Sequence, residues 1–171
     1  MPDSLSSLKP LGSCPVQPYF AKDIQLAGLI EWAINQIGRA DISISTFSTS
    51  EEFLRRMHRM KKEGKVRHCE LICDLRAARK TIALKHFMES TFDRVYLCQN
   101  HSKVVLLSSG SNRVAIVTSQ NQTRGDRYEA GIITRDPYTF SRLKVGLDEC
   151  RENSILINDF NVQPGTASEN K

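Results

Sequence analysis

Apolar positions along the first third of the chain repeat at helical spacing. Leu26, Ile30, Ala33, Ile34 and Ile37 stand at i, i+4, i+7, i+8 and i+11. This stripe predicts a helix from Ala21 to Ile37, stopped by Gly38. At Asp41 the period changes to two, with Ile42 and Ile44 on one face and Ser43 and Ser45 on the other, a strand reaching Phe47. Thr49 and Glu52 have capping-box spacing and open a second helix carrying Phe53, Met57 and Met60, which Gly64 ends. A strand over His68 to Leu75, a helix over Lys80 to Thr91 and a short strand over Arg94 to Cys98 follow. Two apolar runs, Val104 to Leu107 and Val114 to Val117, flank the turn Ser109-Gly110-Ser111-Asn112. Asp136 and Pro137 have the chemistry of an N-cap and first helical position, so a last helix runs to about Asn153. Ile155 to Ile157 forms a final short strand.

Strands alternating with helices predict an α/β fold, with a mixed, largely parallel sheet flanked by helices. The hairpin at Gly110 adds its antiparallel part. Residues 20–160 form the domain. Residues 1–19 precede it as an arm rich in Ser and Pro, extended from Met1 to Gln17 and docked through Tyr19 and Phe20. Residues 161–171 read as a disordered tail. The chain's 171 residues suffice for one domain with a sizeable core, and no internal repeat occurs.

Composition narrows the function classes. Hydrophobic residues make up 40% and charged residues 25%, as in ordinary globular proteins. No apolar run reaches the ~20 residues that span a membrane, and the N-terminus has no basic region followed by an apolar run. The expectation is a cytoplasmic protein that does not engage membranes. The five cysteines, Cys14, Cys69, Cys73, Cys98 and Cys150, form no C-x-x-C pair and read as reduced thiols. No metal site and no cofactor are expected. The net charge of +5 favours an anionic partner. The basic run Arg55, Arg56, Arg59, Lys61, Lys62, Lys65 and Arg67 reads first as a solvated helix face, second as a nucleic-acid surface.

The candidate chemistry lies between His101 and Gly131. His101 and Lys103 are two apart, so on a strand they share a face with Val105 and Leu107. Ser119 and Asn121 follow the second apolar run, and Glu129 follows a polar loop holding Arg124 and Arg127. H-x-K, a hairpin, an S-x-N element and a downstream Glu resemble the phospholipase D superfamily, above all its small single-motif nucleases. The segment Ala40 to Ser48 is similar to that family's first core strand, and the resemblance extends over residues 20 to 157. Ser108 stands where the family has Asp, and Thr118 where it has Gly.

The resemblance implies a metal-independent phosphodiesterase, in first place a nuclease, working through a phosphohistidine. His101 would be the nucleophile, and Lys103, Ser119 and Asn121 would hold the phosphate. Glu129 would accept the Nδ1–H of His101, and Arg124 and Arg127 would contact flanking phosphates. The partner would be nucleic acid, DNA ahead of RNA. One motif per chain implies a two-fold homodimer in which two His101 residues share one site. The alternatives are a non-catalytic nucleic-acid-binding module of the same fold and a phospholipid hydrolase.

Overall fold

The computed structural model describes residues 4–77, 84–122 and 127–157. One sheet of eight strands organises them, in the order β1-β7-β6-β5-β2-β3-β4-β8. In chain order these are β1 (Val16–Ala21), β2 (Ala40–Thr46), β3 (Val66–Asp74), β4 (Arg94–Cys98), β5 (Val104–Ser109), β6 (Asn112–Thr118), β7 (Glu129–Thr134) and β8 (Ile155–Leu156). The described helices are α1 (Leu26–Ile37), α2 (Glu51–Lys62), α3 (Lys85–Thr91) and α4 (Pro137–Glu152). The sheet is mixed, as the element order predicts. Its parallel part is confined to β2, β3 and β4, and every other pairing is antiparallel. The expected predominance of parallel pairing is corrected by the hairpin and by β1.

The arm is also corrected in part. Pro18 argues against a central strand because proline lacks the N–H that a ladder needs. β1 holds it at the sheet edge, paired with β7 from Val16↔Thr134 to Ala21↔Glu129. Ala21 is therefore the last residue of a strand, and α1 begins at Leu26. The second helix is capped by Ser50 and not by Thr49: the Phe53 N–H donates to Ser50 Oγ at 3.3 Å. The last helix starts as expected, with the Thr139 N–H donating to Asp136 Oδ2 at 2.7 Å. The part of the third predicted helix before Leu84 and the proposed tail lie outside the described residues.

The two sheet faces carry different loads. Ile42, Ile44, Val105, Leu107, Ile116 and Ile133 face the buried stripes of α1 and α2, which include Leu29, Ile30, Leu54 and Met57. Val104, Leu106, Ala115 and Ile72 face Leu147 of α4 on the other side. Arg151 anchors the end of α4 by donating to Glu70 and Ser43 on the sheet. α4 packs on β4, β5 and β6. Beyond it, Val16, Phe20, Val117 and Ile132 stay 39–73% exposed. Pairing of β1, β7 and β6 places them on one face.

Candidate active site

His101, Lys103, Ser119 and Glu129 lie at or just outside the ends of β5, β6 and β7. The Thr118 N–H donates to Lys103 O at 3.1 Å, so β6 and the start of β5 stay paired up to Lys103. Beyond β6, the Ser119 N–H donates to Ala130 O at 2.9 Å, and the Ala130 N–H donates to Ser119 Oγ at 3.0 Å. These bonds bring Ser119 beside Glu129, whose carboxylate accepts the Ser119 hydroxyl. Thr118, where the family motif has Gly, accepts the Gln120 N–H at 3.1 Å and bonds the Tyr19 hydroxyl at 2.6 Å. A glycine could not make these links.

Lys103 lies between the two halves of the site. Its Nζ donates to His101 O at 2.7 Å and stands 3.2 Å from His101 Nδ1. Burial lowers the lysine pKa, and the nearby Glu129 carboxylate works in the opposite direction. His101 is exposed, its ring tilted against Phe47 at 5.3 Å between centroids. Within one chain Glu129 holds Ser119, and Lys103 faces His101 Nδ1, so the expected His101–Glu129 bond is not formed among the described residues. The physical reason is local: the Ser119 hydroxyl donates to the Glu129 carboxylate, and the Lys103 ammonium stands at His101 Nδ1.

Asn121 lies two residues beyond Ser119, and its buried Oδ1 has no partner among the described residues. Arg127 is exposed in the turn before β7. Arg124 lies outside the described residues. Ser108, which stands where the resemblance expects Asp, sits at the opposite end of β5 from His101, paired with Asp41 and Arg113. The basic run on and after α2 is largely neutralised: Arg55 pairs Glu51, Arg59 and Lys65 pair Glu31, Lys61 pairs Asp93 and Arg67 pairs Asp41.

One set of positioning residues is not visible in the motif. Asn100 is buried immediately before His101. Its amide donates to Ser45 Oγ at 2.8 Å and to Ile72 O at 3.3 Å. Its Oδ1 accepts the Ser102 N–H at 2.9 Å, and its own N–H donates to Asp74 Oδ2 at 2.8 Å. Burial pushes the Asp74 pKa up, but the Asn100 and Arg76 amides and the Arg76 charge outweigh it and hold the carboxyl below its ordinary value. This buried network fixes the turn that presents His101. The alternation at Ser43 and Ser45 marks the polar side of β2, but nothing local shows that Asn100 meets it.

The described residues contain no group of three or more His, Cys, Asp or Glu side chains able to hold a metal ion. No described helix is long and apolar enough to cross a membrane. Cys69, Cys73 and Cys98 are buried free thiols, and burial pushes the Cys69 thiol pKa up.

No family model matches the chain, and no curated protein matches its sequence. Solved structures do match its fold. Nuc from Salmonella typhimurium, a phospholipase D family member, superposes with a TM-score of 0.65 at 18% identity, over 82% of this chain and 96% of that one. NucT from Helicobacter pylori gives 0.61 at 15% identity, over 82% and 98%. Phosphatidylserine synthase from Haemophilus influenzae gives 0.58 at 18% identity, over 84% of this chain and 40% of that one. The mixed eight-stranded sheet with its flanking helices is the fold of Nuc, the phospholipase D family member, and of the other two structures.

Proposed function

We propose that the protein is a metal-independent phosphodiesterase, with nucleic acid as substrate and a phosphohistidine as intermediate. One observation carries this reading: Lys103 Nζ lies 3.2 Å from His101 Nδ1, within the field of a Glu129 that also holds Ser119. In this reading His101 is the nucleophile and Lys103 the fixed cation, with the Ser119 hydroxyl and the Asn121 amide as donors to the phosphate. An arriving phosphate draws the Lys103 ammonium from the ring onto a non-bridging oxygen. This frees Nδ1 to take up the proton of the neutral ring, and leaves the Nε2 lone pair for attack on phosphorus.

The bond formed is N–P and the bond broken is P–O. The leaving alkoxide takes a proton from a second histidine acting as general acid. Water then attacks phosphorus, gives a proton back to that histidine, and the N–P bond breaks. One chain has one such motif, so the second histidine is assigned to His101 of a second copy in an isologous dimer. The face of Val16, Phe20, Val117 and Ile132 supports such a partner. It is apolar, no described residue covers it beside α4, and its Ile132 lies on the strand that carries Glu129, on the other face of the sheet. Phe20 and Tyr128 stack there at 5.4 Å, with Lys22 over the Tyr128 ring at 5.0 Å.

The test is turnover of bis(p-nitrophenyl) phosphate in EDTA, because Lys103 and Asn121 supply what a metal would. Turnover that survives chelation is expected. Activity that vanishes in EDTA and returns with Mg²⁺ contradicts the mechanism. Competition by DNA, and not by phospholipid vesicles, assigns the substrate class.

A further inference from the structure

A narrow pocket opens between the N-termini of α1 and α2, lined by Leu26, Ala27, Ser50, Arg56, Asn121 and Gln122 among others. Gln122 is 2% exposed, and among the described residues neither its amide oxygen nor its amide nitrogen has a hydrogen-bond partner. A buried amide left unpaired is unfavourable unless something else answers it. Thr49, which bridges to Gln122, has no partner for its hydroxyl among the described residues either.

The electrostatics of the pocket point one way. Both helices are 12 residues long and aim their positive ends at it. Gln25 at the start of α1 makes no side-chain cap bond. Arg56 adds a full positive charge. Its guanidinium lies against Gly28 in the first turn of α1, where a Cβ would meet it at 3.3 Å. A cation beside a helix N-terminus is unfavourable without an anion. The ion-pair contact of Arg56 is loose, 3.7 Å to a Glu31 that Arg59 and Lys65 approach more closely. Glu52, in the first turn of α2, is the only carboxylate among the described lining residues.

The pocket shares Asn121 with the candidate active site. Gln122 follows Asn121 directly, and its N–H donates to Ser48 O at 3.2 Å. Ser48 follows Phe47, whose ring touches His101. The floor of about 20 Å³ admits one or two oxygen atoms, with the rest of an oxyanion in solvent.

We infer that this pocket is a subsite for a second phosphate, one flanking the phosphodiester held at His101. Arg56 and the uncapped end of α1 hold the oxyanion, and the Gln122 amide donates to it. The inference rests on the phosphodiesterase reading for its link to catalysis and names the substrate class: a strand with consecutive phosphates, not a lipid with one.

The direct test is thermal shift with inorganic phosphate. A His101→Ala/Lys103→Ala double variant removes the competing anion site. At tenfold excess over Kd, phosphate should still raise its Tm by about 3 °C. Adding Arg56→Gln should abolish that rise, as should Gln122→Glu, which puts a negative charge in the same volume. Glu52→Gln should tighten phosphate binding. A rise that survives Arg56→Gln, or that is absent from the double variant, overturns the subsite.

Kinetics give the second arm. Arg56→Gln in otherwise wild-type protein should raise KM for a thymidine oligonucleotide about tenfold, and much less for bis(p-nitrophenyl) phosphate. Equal rises refute a flanking-phosphate role. If neither substrate is turned over, the phosphodiesterase reading fails, and the phosphate shift still decides whether the pocket binds the anion.

Discussion

The ring of Tyr19 lies directly on Gly131. A Cβ built at Gly131 would stand 2.5 Å from Tyr19 Cε1 and 2.7 Å from Val117 O. Gly131 lies two residues beyond Glu129 on β7, and the Tyr19 hydroxyl bonds Thr118 beside Ser119. The absence of one side chain therefore lets an edge strand close over the site's supporting strands.

Gly131→Ala should accordingly destabilise the protein by about 1–3 kcal/mol, the usual cost of overpacking, with a Tm fall of several degrees. Differential scanning calorimetry measures it. Tyr19→Ala should also destabilise, and the double variant should lose less than the sum, because the aromatic part of the clash is gone. Strict additivity would contradict the contact.

The Lys103 pKa is lowered by burial, so the alkaline limb of kcat/KM should fall below the ordinary lysine value of 10.5. A lysine needed in its charged form supports activity below its pKa and loses it as pH rises through that value. Glu129 raises this pKa, so Glu129→Gln should move the limb to lower pH still. A limb that does not respond to Glu129→Gln would separate Lys103 from the field of that carboxylate.

The exposed face predicts its own disruption. Ile132→Glu puts a charge at the centre of the Val16, Phe20 and Val117 patch, where burial of an unpaired carboxylate is strongly unfavourable. Light scattering should show a dimer for wild type and a monomer for Ile132→Glu, with circular dichroism unchanged and turnover lost. A fully active monomer contradicts the shared site.

Several elements follow from local pattern alone. The stripe from Leu26 to Ile37, the Asp136 cap and the turn at Gly110, whose φ is +55°, are encoded by a few neighbouring residues. β1 is not, because Pro18 masks an edge strand whose partner is more than a hundred residues away. The spacing of His101, Lys103, Ser119 and Glu129 marks the ends of consecutive strands, so these residues were legible as a set. Their bonds were not. That Glu129 takes the Ser119 hydroxyl follows from the register of β6 against β7, and the Asn100–Asp74 network from the crossing of β2, β3 and β5. The one-residue shift of the α2 cap has the same origin: the Ser50 hydroxyl is turned by a bond to Gln122 O at 2.6 Å.

The most direct measurement is the covalent adduct on His101. Wild-type protein quenched during turnover of a ³²P-labelled diester should carry an acid-labile, base-stable phosphoryl group that maps to the peptide containing His101. His101→Ala should carry none and should lose nearly all turnover while keeping its fold, since the exposed ring is not part of the core. Wild-type turnover in His101→Ala, or label on any other residue, would contradict the account.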